Sequence, residues 1–192
     1  DAGAKPAFKG YYVPAAGEAY NFVLCTSVNS EIVHGMPSPK RVLKKGDIVS
    51  IDTGVKLDGY YGDSAITVPI GDVGEETKKL LAVTQESLEL AIDRVRSGNR
   101  LFDVCGTVEQ HVKSNGFSIV REYVGHGIGT QLHEEPQVPN YVDRKNENPR
   151  LKPGMVLAVE PMVNAGRPEA VVLKDKWTAV TKDGSNSAHF EH

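Results

Sequence analysis

Two adjacent helical segments with β-prone sequence on both sides limit the folds open to this chain. Apolar residues recur at helical spacing over residues 75–97 and again over residues 101–114. Gly98 supplies a stop for the first segment and Asn115-Gly116 ends the second. Strands followed by helices and then by more strands predict an α+β fold, with an antiparallel sheet and the helices on one face.

The β-prone runs can be placed before and after these helices. They cover residues 22–28, 47–56, 59–68, 117–124, 155–160, 169–174, 176–182 and 187–192. Residues 1–22 are rich in Gly, Pro and Ala, and residues 125–154 are rich in Gly and Pro, so we interpret both stretches as irregular.

Length and composition suit one globular domain. The chain has 192 residues, of which 40% are hydrophobic and 24% charged. A net charge of −3 with no basic block predicts neither a nucleic-acid nor a membrane partner. The first residues, DAGAKPAF, lack the features of a signal peptide, and Cys25 and Cys105 are best explained as reduced thiols. We therefore expect a cytoplasmic monomer.

Two aspartates in the second and third β-prone runs are candidates for a shared site. Leu57-Asp58-Gly59 marks a hairpin turn between Asp52 and Asp63. A turn at residues 57–58 would place the two carboxylates directly opposite each other, and a turn at residues 58–59 would make them diagonal neighbours. Both two-residue registers put them on one face, where like charges require a cation or a shared proton, whereas a three-residue loop would not. A solvated hairpin with two acidic side chains is the alternative.

A glycine-rich segment carries the first candidate imidazole. His126 lies between Gly125 and Gly127, and glycines permit close approach of the backbone to a ligand or a metal. A dinucleotide-binding loop would need a helix directly afterwards, and Pro136 argues against one. A loop or core histidine is the simpler alternative.

Two glutamates complete a set of oxygen and nitrogen donors. Glu160 ends an apolar run and precedes Pro161, and Glu191 follows Phe190 near the end of the chain. Four carboxylates balance the charge of two divalent cations, and oxygen and imidazole donors suit Mn, Fe, Co or Zn. Two such ions about 3.5–4 Å apart can activate a water for amide hydrolysis. The five candidate ligands are Asp52, Asp63, His126, Glu160 and Glu191.

The surroundings of these five residues resemble those of the bacterial-type methionine aminopeptidases over nearly the whole chain. The matching stretches are CTSVNSEIVHGMP (25–37), DIVSID (47–52) through Gly62-Asp63, GHGIGTQLHEEP (125–136), GMVLAVEP (154–161), WTAVTKDG (177–184) and SAHFEH (187–192). The resemblance implies a pita-bread fold, in which two pseudo-symmetric α+β halves hold two metal ions between them. It also implies removal of the N-terminal methionine from peptides and nascent proteins, with a preference for a small second residue.

The resemblance also implies a role for each site residue. The five candidate ligands would hold the metals, with Asp63 and Glu191 bridging both ions and Glu160 also taking a proton from the attacking water. His34 and His133 would contact the substrate near the scissile bond. Cys25 and Trp177 would lie near the methionine side chain.

Three departures from the family pattern bear on this chain. Residues 12–24 are longer than is usual in the family, and Leu132 stands where an aromatic residue is common, so the resemblance leaves the details of the methionine pocket open at both places. Residues 1–192 are expected to form a single catalytic metallopeptidase domain without the family's N-terminal helical portion or its final C-terminal strand.

Three other functions compete with this interpretation. An Xaa-Pro aminopeptidase or prolidase-like peptidase would use similar ligands, whereas a non-catalytic pita-bread binding module would have lost some of them. A cysteine hydrolase would use Cys25, which lies in an apolar run where a thiol is usually inert.

Overall fold

The structure is a computed structural model that describes residues 3–192. Short strands outnumber helices in it, and two long strands and two helices form its frame. The elements are β1 (Lys5–Pro6), β2 (Tyr12–Val13), β3 (Glu18–Ala19), β4 (Cys25–Val28), β5 (Glu31–Val33), β6 (Ile48–Leu57), β7 (Tyr60–Pro69), α1 (Glu75–Ile92), α2 (Leu101–Ser114), β8 (Ser118–Ile119), β9 (Gly125–Gly127), β10 (Glu134–Val138), β11 (Leu157–Ala158), β12 (Met162–Asn164), β13 (Ala170–Val172), β14 (Ala179–Thr181) and β15 (Ser187–His189). The predicted α+β class is confirmed.

The hairpin of β6 and β7 organises the first part of the chain. Leu57 pairs with Tyr60, so the turn residues are Asp58 and Gly59, with φ of 49° and 90°. Positive φ at both positions is what a two-residue hairpin turn requires. The prediction of a turn at residues 58–59 is therefore confirmed, and the alternative prediction of a turn at residues 57–58 is wrong. β4 pairs with the other edge of β6 and places Cys25 opposite Asp52.

The two helices begin where the sequence predicts, but the first ends early. α1 stops at Ile92, not at residue 97, and α2 spans the predicted residues. After Ile92 the chain forms tight turns, in which the amides of Arg94 and Val95 donate to the carbonyls three residues earlier. Val95 still packs against the core, which explains why the apolar pattern continues past the end of the helix.

The strands after the helices are shorter than predicted. Residues 117–124 contain only β8, and residues 155–160 contain only β11. Their partner strands, β12 for β8 and β9 for β11, are three residues long, so β8 and β11 have few residues to pair with. The two stretches predicted to be irregular also contain short strands. These are β9 and β10 within residues 125–154 and β1, β2 and β3 within residues 3–22.

The main core lies between the helices and the strands of the second part of the chain. α1 packs against β12 and β15, and α2 packs against β8. Among the fully buried side chains are Leu80 of α1 and Val108 of α2. This packing carries β15, and with it the neighbouring Glu191, into the interior. Within residues 3–192 no helix is long and apolar enough to cross a membrane.

Candidate metal centre

Strand pairing brings the five candidate ligands to one place. In the hairpin Asp52 pairs with Ala65 and Asp63 pairs with Gly54, so the two carboxylates are diagonal neighbours on one face. Ala65 also bridges to Glu191, whose amide donates to the Ala65 carbonyl at 2.9 Å. Glu191 is thereby held beside the hairpin.

His126 and Glu160 approach from the second part of the chain. His126 lies at the centre of β9, where it pairs with Ala158 of β11. Its Nε2 is 3.5 Å from Oε1 of Glu160. The buried amide of Asn140 donates to the Glu160 carbonyl at 2.9 Å and holds the backbone that carries this glutamate.

Glycine on each side of His126 is required by the closeness of neighbouring backbone. A Cβ at Gly125 would lie 2.3 Å from the carbonyl oxygen of Ala158, and one at Gly127 would lie 2.4 Å from that of Glu135. Both distances are below any real contact, so this strand can pass between its neighbours only without side chains.

The structure places all nine residues singled out from the sequence around one cavity of about 270 Å³. They are Cys25, His34, Asp52, Asp63, His126, His133, Glu160, Trp177 and Glu191. Within this set, donor atoms of Asp63, His126 and Glu191 all lie within 4.8 Å of one another. Asp52 and Glu160 line the same cavity beside them.

The four carboxylates interact unfavourably when no cation is present. Burial raises the pKa of Asp63 to about 6. Burial, followed by the charge of neighbouring carboxylates, raises the pKa of Asp52, Glu160 and Glu191. Oδ1 of Asp52 is also buried without a hydrogen-bond partner. An orphaned carboxylate oxygen among like charges, with an imidazole nearby, is a donor set that fits hard or borderline divalent cations.

This clustering predicts how the stability of the metal-free protein depends on pH. A carboxyl group with a raised pKa binds more protons in the folded state, so its stabilising contribution is present at low pH and is lost as the pH rises through the folded-state value. We expect the free energy of unfolding to fall as the pH rises above about 6.5, where histidines are already neutral in both states.

Below that pH histidines act in the opposite direction. Burial lowers the pKa of His34 and His133 to about 4. As the pH falls below about 6.5, the unfolded chain therefore binds protons before the folded chain does, and the stability gained from the carboxyl groups levels off. Urea unfolding of chelator-treated protein across the range measures the slope. A free energy of unfolding that rises from about pH 6.5 to about pH 8 would contradict the expectation.

His34 is held in an uncommon backbone conformation. It is a non-glycine residue with φ of 60°, and such residues cluster at functional sites. Its ring makes edge contacts with Tyr123 and Trp177, with centroids 5.4 and 6.4 Å away. The next residue is Gly35, where a Cβ would lie 2.3 Å from the Thr26 carbonyl oxygen. The segment that follows β5 thus places the His34 imidazole in the cavity wall.

The segment 12–24 forms part of the apolar lining. Its strands β2 and β3 pair as a small hairpin that ends near Tyr20. Tyr20 is buried, packs edge-on against Trp177 with centroids 5.1 Å apart and donates to the Gly35 carbonyl at 3.1 Å. Cys25 is buried in the same cluster, and burial raises the pKa of its thiol. A thiol kept protonated in this way argues against the cysteine hydrolase.

Three polar residues in or beside the cavity escaped the sequence-based prediction, as did the apolar Phe8 and Val13. Tyr11 lies in a stretch interpreted as irregular, which offered no signal. Tyr20 lies within residues 12–24, which the resemblance places near the methionine pocket without singling out any residue of that segment. His189 is 2% exposed, and its Nε2 is 3.7 Å from Oε2 of Glu160. Alternation along a strand could have identified His189, because it stands two residues before Glu191 and so shares its face.

Comparison with known proteins identifies the family of this chain. Residues 4–192 match metallopeptidase family M24. Methionine aminopeptidase 1 of Bacillus subtilis (strain 168) is 53% identical over 190 residues, which are 99% of this chain and 73% of that protein. The crystal structure of methionine aminopeptidase from Thermotoga maritima superposes with a TM-score of 0.92 at 50% identity, covering 98% of this chain and 73% of that one.

A prolidase is a more distant relative. The recombinant prolidase from Thermococcus sibiricus has a TM-score of 0.66 at 28% identity, covering 88% of this chain and 41% of that one. The methionine aminopeptidases and the prolidase share the pita-bread fold that the sequence motifs imply. The match to the family, the identity over nearly the whole chain and the agreement of the folds lead to one assignment. The chain belongs to metallopeptidase family M24 and, within it, to the methionine aminopeptidases.

Proposed function

We propose that this enzyme removes the N-terminal methionine from peptides and nascent proteins by two-metal hydrolysis and prefers a small second residue. The observation that carries the proposal is the meeting of four carboxylates and one imidazole in a cavity whose remaining lining is largely apolar. Polar ligands serve the hydrolysis, and an apolar wall suits a thioether side chain.

Two divalent cations, drawn from Co, Mn, Fe or Zn, are the cofactors in this proposal. Asp52, Asp63, His126, Glu160 and Glu191 would hold them, and Asp63 and Glu191 would serve both ions. The combined charge of four carboxylates matches that of two such cations, which removes the repulsion that raises their pKa values. When bound, the ions supply Lewis acidity and acidify water.

The chain's own residues would move the protons and hold the charge that develops. Glu160 accepts a proton from the attacking water and returns it to the leaving amine, so the carboxylate is regenerated at the end of the cycle. His133 donates a hydrogen bond to the oxygen of the tetrahedral intermediate. Burial lowers the pKa of His133, which keeps the ring neutral and able to act as donor at one nitrogen only.

The rest of the cavity would select the substrate. Cys25 and Trp177 contact the methionine side chain, and His34 contacts the peptide near the scissile bond. Tyr20 and Leu132 line the same cavity and narrow its apolar part. In this proposal residues 1–192 form a single catalytic domain that acts as a cytoplasmic monomer. Its substrates are chains that begin with methionine, and it has no nucleic-acid or membrane partner.

Cleavage of Xaa-Pro bonds is the second candidate, because the fold is shared with a prolidase. The lower TM-score and identity of that relative favour the methionine enzymes. A non-catalytic module is disfavoured because all five candidate ligands are present.

Metal add-back tests the proposal directly. Chelator-treated protein is titrated with Co, Mn, Zn or Fe(II), and release of methionine from a Met-Gly peptide is followed beside cleavage of an Xaa-Pro peptide. Methionine release that depends on metal supports the proposal. Xaa-Pro cleavage alone transfers the assignment to the rival peptidase, and a protein that binds no metal refutes both.

His34→Ala is expected to separate catalysis from metal binding. His34 lines the cavity outside the ligand set, so we expect the variant to bind two ions per chain while its turnover falls about a hundredfold. Metal analysis and steady-state kinetics measure the two effects. His111→Ala on α2, which removes a histidine paired with Glu86 away from the cavity, is the matched control. Loss of metal from His34→Ala would show that His34 is itself a ligand.

A further inference from the structure

Tyr11 makes a hydrogen bond within the cavity that the proposed function does not use. Its hydroxyl lies 2.7 Å from Nδ1 of His133, and the two ring centroids are 5.3 Å apart. These residues are separated by 122 positions in the sequence, so only the folded structure brings them together.

The backbone of Tyr11 is held on several sides. Its amide donates to the Phe8 carbonyl at 2.9 Å, and its carbonyl accepts from the amide of Tyr20 at 2.8 Å. Gly10 donates in turn to the Tyr20 carbonyl at 2.8 Å. Because Tyr20 is buried against Trp177, this pairing anchors Tyr11 to the cavity wall.

This hydrogen bond bears on which nitrogen of His133 carries the proton. A neutral imidazole has one N–H, and the hydrogen bond made by one ring nitrogen decides the state of the other. If the phenol donates to Nδ1, the proton of His133 is placed on Nε2. That tautomer leaves Nε2 as a donor, which is what a group stabilising an oxyanion needs.

We propose that Tyr11 is a positioning residue that holds His133 as the Nε2–H tautomer and sets the orientation of its ring. The proposal rests on the proposed function, because His133 acts there as a hydrogen-bond donor. Tyr11 itself need not touch the reacting atoms. The proposal gives the segment before β4 a role in the site that no motif in the sequence identifies.

Tyr11→Phe tests the proposal because it removes one hydroxyl and keeps the ring. Tyr12→Phe is the matched control, since the neighbouring tyrosine is 58% exposed and does not line the cavity. For Tyr11→Phe we expect kcat on a Met-Gly peptide to fall about tenfold to a hundredfold, with KM changed by less than about twofold. The control is expected to keep both values. Unchanged kcat, or a rise in KM alone, would overturn the positioning role.

Nuclear magnetic resonance of protein with isotope-labelled histidine rings gives a readout that does not depend on activity. In the wild type, with and without zinc, Nδ1 of His133 is expected to be unprotonated and Nε2 protonated, and Tyr11→Phe is expected to show a mixture of tautomers. A proton on Nδ1 in the wild type would overturn the proposal whatever the kinetics show. If the wild type releases no methionine, the proposed function fails while the tautomer is still decided by this measurement.

Discussion

Asp63→Asn is expected to lower methionine release by about a thousandfold or more and to leave fewer than two ions bound per chain. Asn keeps the shape of the side chain but loses the charge, and Asp63 is the carboxylate whose donor atoms approach both His126 and Glu191. Lewis-acid stabilisation is worth several kcal/mol, and each tenfold in rate corresponds to about 1.4 kcal/mol.

In the metal-free protein the same substitution should increase stability. Burial raises the pKa of Asp63 to about 6, so at neutral pH its charge opposes folding beside Asp52 and Glu191. We therefore expect metal-free Asp63→Asn to melt at a higher temperature than the metal-free wild type. Metal analysis, kinetics and thermal melts of both forms test these effects.

Asp58→Asn provides a matched control in the same hairpin. Asp58 is exposed at the turn with φ of 49°, a conformation that Asn adopts readily. The turnover, metal content and melting temperature of the Asp58→Asn variant should stay close to those of the wild type. Near-normal turnover with two bound ions in Asp63→Asn would refute the assignment of Asp63 as a ligand.

Gly127→Ala is expected to lower stability and to remove activity together. The added Cβ would lie 2.4 Å from the Glu135 carbonyl oxygen, so β9 must move away from β10 and carry His126 with it. Overpacking typically costs about 1–3 kcal/mol, which for a chain of this size lowers the melting temperature by roughly 2–12 °C. A displaced His126 should also weaken metal binding.

Gly62→Ala separates this clash from the general effect of replacing glycine. Gly62 lies in β7, and the new Cβ would meet only the Val55 side chain at 3.9 Å, an ordinary contact. Thermal melts and metal titrations of the two variants give the comparison. Equal melting temperatures and equal metal affinity would show that β9 tolerates a side chain and that the glycines serve another purpose.

The part of the fold nearest the hairpin could be predicted from local sequence. Two β-prone runs around Asp58-Gly59 indicate a hairpin, and alternation along its strands puts Asp52 and Asp63 on one face in either two-residue register. The helices follow from apolar spacing, although α1 ends five residues before the pattern does. Val95 shows why, since a turn after the helix can bury an apolar side chain as well as a helical residue can.

The short strands could not be predicted with the same success. β8 and β11 each have two residues, although the β-prone runs around them are longer. Strand length depends on the partner strands, and β9 and β12 have three residues each to offer. Local propensity contains no information about that pairing.

The sequence by itself determined the donor chemistry of the site and the family to which the chain belongs. Side-chain type and motif order are properties of the linear chain, so carboxylates, imidazoles and glycines around His126 can be recognised without coordinates. Only the tertiary structure decided which groups touch. The bridge from Ala65 to Glu191, the approach of His189 to Glu160 and the hydrogen bond from Tyr11 to His133 join positions far apart in sequence. Such contacts depend on packing between elements, which local periodicity does not specify.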